Sequence, residues 1–264
     1  MNEAEGWREE TAYHEAGHVV ALYAQGFDLG DASIAANMDS VGRVATPLPK
    51  ALSERLDVLE YMGNDGEEFA MRQIVVAFSG VKAIEILTGR VSAINPDTEP
   101  ELVGSDYWRL SIWLPMLGPP AGDRDIYNNT QDLYNPSSQA HTDEAQARTD
   151  RLLRENWNAV RSVAEALLEH GEMEAGAIRS VLEKAGCARD DAPIRRVFLE
   201  VEQDRLLEED SEHIHRVLYM QNEGRPEHEI EAEISGLNQE YEEKVRRYLR
   251  NAQELETLRG KEDV

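Results

Sequence analysis

Apolar residues recur along most of this chain at intervals of three and four, the spacing of helices that bury one face. Near the N-terminus, Trp7, Thr11, His14, His18 and Leu22 form one stripe and Ala12, Ala16, Val19 and Tyr23 an adjacent one, with Gly26 as a stop. Ser53 to Met62 and Glu67 to Leu87 read as two further helices, closed by Gly63 and Gly89. Phe69, Ile74, Phe78 and Val81 give the second an apolar face, and Gly80 would let a neighbouring helix approach closely. Ser105 is suited to cap a helix running through Trp108, Leu110, Trp113 and Leu117. Thr142 to His170 predicts one long amphipathic helix ended by Gly171, and Ala175 to Ala185 a shorter one stopped by Gly186.

Two stretches break this rhythm. Gly30 to Pro49 alternates as a pair of short strands joined by Asn37-Met38-Asp39-Ser40, a turn-forming cluster. Gly118 to Ala140, with Pro119, Pro120 and Pro136, reads as a long irregular segment. Asp190-Asp191-Ala192-Pro193 then marks a fresh start, an acidic cap with Pro in the first turn of a new helix. Ile194, Val197, Val201 and Leu206 follow on one face, and Asn222 to Pro226 ends that helix. From Ile230 through Ile234, Leu237, Tyr241, Val245, Tyr248 and Ala252 to Leu255 runs a heptad-like seam, suited to a coiled coil between copies or to a hairpin with the helix from Ile194 to Leu218.

The first helix carries chemistry. Tyr13-His14-Glu15-Ala16-Gly17-His18 is a His-Glu-x-x-His pattern, and residues four apart share a helix face, so His14 and His18 can present ring nitrogens to one metal ion. Glu15 projects beside them, where zinc peptidases need a carboxylate base. In the first turn of its own helix, Asp106 either complements the helix dipole or serves as a third ligand; Glu85 and Glu101 are the other acidic candidates.

Thr11 to Ala21, with His14-Glu15-Ala16-Gly17-His18 at its centre, resembles the active-site helix of FtsH-type zinc metalloproteases, the M41 peptidase family. The likeness continues in order through the hairpin of Ala32 to Ala36 and Gly42 to Pro49, Ser79 to Glu85, Val103-Gly104-Ser105-Asp106-Tyr107, and Leu152 to Leu182. It departs at Ser79-Gly80-Val81, where the family has Gly-Gly-Arg, at Ser105-Asp106, where it has Asn-Asp, and in an apparent insertion from Val91 to Leu102. The resemblance implies a mainly α, zincin-like peptidase domain over residues 1–186 with a small β-hairpin, followed by an acidic helical extension over 187–264. It implies one Zn2+ per chain on His14, His18 and Asp106, with Glu15 as general base and an extended, unfolded polypeptide as substrate. The substrate would lie beside a strand, for which Ala32 to Ala36 is the candidate edge.

Composition narrows the class. A net charge of −25 opposes binding to nucleic acid, whose phosphates are held by Lys and Arg. No apolar run nears the ~20 residues of a membrane span, no signal segment opens the sequence, and a soluble cytoplasmic protein is expected. Cys187 stands alone, so neither an internal disulfide nor a cysteine zinc site is available. The sequence holds no Gly-x-x-x-x-Gly-Lys-Ser/Thr loop, so it resembles the protease part of the family without ATPase or membrane helices, and hydrolysis is expected to be independent of ATP unless a separate unfoldase delivers substrate. Two other readings fit less of the pattern: an inactive adaptor that binds through the C-terminal helices, and a zinc hydrolase with a different third ligand.

Overall fold

A computed structural model describes residues 3–35, 42–45, 62–91, 106–117 and 136–260. Residues 53–61 of the expected second helix, the turn at Asn37 to Ser40, the Ser105 cap, Glu101 and segments 92–102 and 118–135 lie outside the described residues. The fold is mainly α, with one small sheet. Among the described residues no helix is long and apolar enough to cross a membrane.

The chain divides into two compact units, one reaching Ile194 and the other containing Arg195 to Val264. In the first, α1 (Glu3–Ala24) packs on α2 (Asn64–Thr88) and on α5 (Trp157–His170); α2 also receives α3 (Asp106–Trp113), its 3-10 continuation Leu114–Leu117, and α4 (Pro136–Glu155). The α1 stripe is buried from Ala12 to Tyr23, whereas Trp7 is 67% exposed and contributes nothing to the core. Phe69 of α2 meets Phe27 and Trp113 edge-on, each with ring centroids 5.5 Å apart, which fixes α3 against α2. Tyr13 stacks on Trp157 and ties α1 to α5.

The helix expected over Thr142 to His170 is two. Asn156 interrupts it with φ −108° and ψ 21°, and its side-chain amide donates to the Leu152 carbonyl. That local bond competes with the helical ladder, while the apolar spacing continues undisturbed on both sides. The irregular segment ends sooner than expected, because Pro136 opens α4, where its fixed φ suits a first helical position. α6 (Ala175–Lys184) follows the predicted bounds closely.

The hairpin of β1 (Ala32–Ser33) and β2 (Arg43–Val44) pairs Ala32 with Val44 and Ser33 with Arg43. A third strand, β3 (Glu172–Met173), adds to the other side of β1, giving the order β2-β1-β3. Ala32 and Ser33 are thus flanked on both sides, and the Ile34 amide donates to Gly171.

Residues 187–194 belong with the first unit, beyond the 186/187 boundary that the sequence suggests. Buried Arg72 donates to the carbonyls of Gln25 and Asp190 and, at 2.7 Å, to the Asp190 carboxylate. Arg189 donates to the carbonyls of Gly26 and Phe27. Within this stretch Cys187 is 7% exposed, and burial pushes its thiol up to about 11. A disulfide reagent at pH 8 should therefore label the native protein far more slowly than the guanidinium-unfolded chain; equal rates would mean the 187–194 segment is not held down.

The second unit contains α7 (Ala192–Asn222) from Arg195 on, α8 (Glu227–Ser235) and α9 (Gln239–Arg259). α7 kinks at Asp210, whose φ of −149° leaves the helical region and whose carboxylate pairs with His213 at 2.6 Å. The predicted seam is not one helix. It breaks at Gly236 to Asn238, and the Asn238 side chain caps α9 by accepting from the amides of Glu240 and Tyr241. Its apolar side meets the chain's own α7: Leu206, Ile214 and Val217 pack with Ile234 and Val245 in one buried cluster. Arg195 with Glu254, Glu202 with Arg247 and Glu209 with Lys244 bridge α7 and α9 in antiparallel sense.

Candidate metal centre

The buried face of α1 meets α2 where both backbones are small. A Cβ built on Gly17 would stand 2.4 Å from the Ser79 carbonyl oxygen, so only glycine permits this crossing. The consequence is local: α2 runs directly under the two imidazoles of α1. The Val76 carbonyl accepts from His18 Nδ1 at 2.8 Å, and the Ser79 hydroxyl, which itself donates to Val76, lies 3.1 Å from the same nitrogen. A carbonyl can only accept, so the Nδ1 carries a proton and Nε2 is the nitrogen offered to a ligand.

That nitrogen faces a cluster. His18 Nε2 lies 3.0 Å from His14 Nε2, and Asp106 Oδ2 is 3.2 Å from His18 Nε2 and 3.4 Å from His14 Nε2. Donors ~2.0–2.2 Å from a tetrahedral ion stand about 3.3–3.6 Å apart, so this triangle of 3.0–3.4 Å is within a few tenths of an ångström of the dimensions of a three-ligand zinc site. Two neutral imidazole nitrogens and a carboxylate also make the donor set that zinc prefers in hydrolases. Among the described residues these three form the group whose ligand atoms converge in this way. The rings stand edge to face with centroids 4.7 Å apart.

The exposure is uneven. The His18 side chain is 6% exposed, Asp106 11% and His14 26%, so among the three His14 is the most open to solvent. Burial works to raise the Asp106 carboxyl, but beside protonated imidazoles the charge of His18 and hydrogen bonds from His14 and His18 outweigh it and hold it well below the usual carboxylate range. An ionised carboxylate between two imidazoles is the state that binds a cation.

Glu15 is 5% exposed. Burial raises its carboxyl, opposed by the charges of His18 and His14, supported by Asp106 and opposed again by Arg109. A raised carboxyl makes a stronger base. Gly42, which precedes β2, lies against it: a Cβ there would come within 2.5 Å of Glu15 Oε1 and 2.9 Å of the Thr11 methyl.

The structure therefore brings together His14, His18, Asp106 and Glu15 and leaves Glu85 in an ion pair with Lys82 at 2.8 Å. The substrate edge expected at Ala32 to Ala36 is corrected, because the main-chain groups of Ala32 and Ser33 are already spent on β2 and β3. Among the described residues β2 and β3 are the outer strands, and β2 is the one next to Glu15. Sequence reasoning also missed Arg109, a partly buried cation whose charge interacts with both Asp106 and Glu15. The available signal was the lone basic residue in Asp106 to Trp113, three positions after Asp106. No protein-family model matches this chain, and no curated protein is significantly similar to it.

Proposed function

We propose that this chain is a zinc-dependent endopeptidase that hydrolyses unfolded or extended polypeptides without an ATPase of its own, similar to the peptidase part of the FtsH-type M41 family. The observation that carries the reading is the 3.0–3.4 Å triangle of His14, His18 and Asp106 with a buried carboxylate, Glu15, on the next residue of the same helix. Zinc held there would supply Lewis acidity and lower the pKa of water toward neutrality. Every other part of the reaction falls to the protein.

Glu15 takes the proton from water as its oxygen forms a bond to the peptide carbon, then passes that proton to the nitrogen as the C–N bond breaks. His18 is held in one tautomer by Val76, which keeps its Nε2 a ligand atom. Extended substrate adds to β2, whose outer main chain runs past Glu15 at Gly42, and main-chain pairing of this sort selects an unfolded chain over any particular sequence. Folded proteins should resist digestion with or without ATP.

Purified protein should hold about one zinc per chain and degrade casein slowly, and a chelator should abolish this. Asp106→Asn should weaken zinc retention about 10–100-fold or more, while Asp97→Asn, in the apparent insertion, should leave it unchanged. Equal effects at the two positions would transfer the ligand role to another carboxylate. Bound zinc without any cleavage would favour the adaptor reading.

A further inference from the structure

The proposed hydrolysis builds up one charge that zinc would share with the protein, and no protein donor has yet been assigned to it. When water adds, the substrate's carbonyl oxygen becomes negative, and Glu15, itself an acid, cannot stabilise it. Peptidases meet that charge with fixed donors placed where it develops. We propose that Arg109 is that donor: its guanidinium, one helical turn from Asp106 on the same face of α3, receives the carbonyl oxygen of the scissile bond as it turns into an oxyanion. The inference rests on the hydrolytic reading above and adds a residue to it.

The placement follows from the helix. Asp106 and Arg109 are three residues apart on α3, so their side chains rise from one face about 4.5 Å apart along the axis. α3 is fixed in turn by Leu110 and Trp113, both buried, with Trp113 against Phe69. Asp106 reaches the two imidazoles from this face, and Arg109 stands on it one turn further along. Its charge acts on Glu15 as well as on Asp106, so the guanidinium lies within electrostatic range of both the base and the acidic ligand.

Arg43, the cation of β2, is exposed, and Arg90 is 70% exposed and paired with Glu10. Arg109, in contrast, is partly buried, and a cation away from bulk water acts more strongly on a nearby developing charge. Arginine also suits the task chemically. It stays charged at any working pH and offers five N–H donors in a rigid fork, so it can face a carboxylate with one edge and a substrate oxygen with another.

The competing role is a countercharge that merely neutralises Asp106 and Glu15. The two differ in what they change. A countercharge supports folding and zinc affinity; an oxyanion donor supports the transition state alone.

The test uses the full-length chain as wild type, Arg109→Met and Arg109→Lys. It reads zinc content, melting temperature, kcat and KM on a fluorogenic unfolded peptide, and affinity for a phosphinic peptide that mimics the tetrahedral oxyanion. Arg109→Met should keep its zinc and its KM while kcat falls about 10²–10³-fold, with phosphinate affinity falling in parallel and affinity for the product peptide unchanged. Arg109→Lys keeps the charge and with it the fold, but loses the fork, and should fall about tenfold in both kcat and phosphinate affinity.

Unchanged kcat and phosphinate affinity in Arg109→Lys and in a folded Arg109→Met would overturn the inference. So would a loss of kcat that merely tracks loss of zinc. If wild type itself binds no zinc and cleaves nothing, it is the hydrolytic reading that fails.

Discussion

Glu15→Gln, loaded with zinc, should bind metal as wild type does and lose about 10²–10⁴-fold in the rate of peptide hydrolysis. The substitution is chosen for what it leaves alone. Glutamine fills the same volume beneath Gly42, where a Cβ would stand only 2.5 Å from the Glu15 oxygen, so the close passage of the main chain before β2 survives. His14, His18 and Asp106 hold one another at 3.0–3.4 Å through contacts in which the Glu15 carboxylate takes no part. Only the capacity to accept a proton disappears. Zinc content and single-turnover cleavage of an unfolded peptide measure the two halves of the claim separately. A variant that cleaves at the wild-type rate would remove Glu15 from the mechanism, while one that loses zinc would make it part of the metal site.

Gly80→Ala should be comparably severe for a different reason. The added methyl would fall 2.5 Å from His14 Cε1, 2.5 Å from His18 Nε2 and 2.6 Å from His14 Nε2, striking both ligand nitrogens together. Neither ring can step aside freely, since His18 is tethered to Val76 through Nδ1 and α1 is pressed to α2 at Gly17. Zinc affinity should fall by about 10–100-fold, a loss of the size seen when the surroundings of metal ligands are disturbed. Overpacking at the helix crossing should also cost about 1–3 kcal/mol of stability. Gly176→Ala is the control: nothing lies within 4 Å of a Cβ there, so affinity and melting temperature should hold. Competition with a chromophoric chelator reads the first quantity and thermal unfolding the second. Wild-type zinc affinity in Gly80→Ala would mean that the metal, if bound, sits elsewhere.

The sequence speaks clearly where chemistry is local. His14, Glu15 and His18 lie on one turn of helix, so their juxtaposition needs only helical geometry, and the small residue at Gly80 already signals a close neighbour. Asp106 is different. It lies far along the chain, and a first-turn carboxylate has an ordinary electrostatic use, so resemblance rather than periodicity singles it out. β3 is too short, with Glu172–Met173 alone, to leave an alternating pattern, yet it makes β1 a central strand and moves the free edge to β2. Periodicity likewise runs straight through Asn156, because a break that preserves the phase of the apolar face leaves no mark in that face. At Gly236 to Asn238 the seam again keeps its apolar positions while the backbone turns, so one predicted helix is two. Arg109 was passed over because its significance depends on where Asp106 and Glu15 end up in space.

The sheet order has a consequence for the chain as it is made. The strand beside Glu15 is anchored through β1 to β3, and β3 joins Ala32 to Met173 and Ser33 to Glu172, across more than half of the sequence. Arg8 near the start of α1 donates to the carbonyl of Leu168 in the same region. A ribosome must therefore release Asp106 before the triangle can close, and Met173 before the sheet can. Closing such long loops is slow relative to helix formation, so the two histidines spend the early part of synthesis on a helix with no acidic partner. The sheet is thereby completed only once about two thirds of the chain has been made, so on the proposed hydrolytic reading a shorter nascent copy lacks the finished strand beside Glu15.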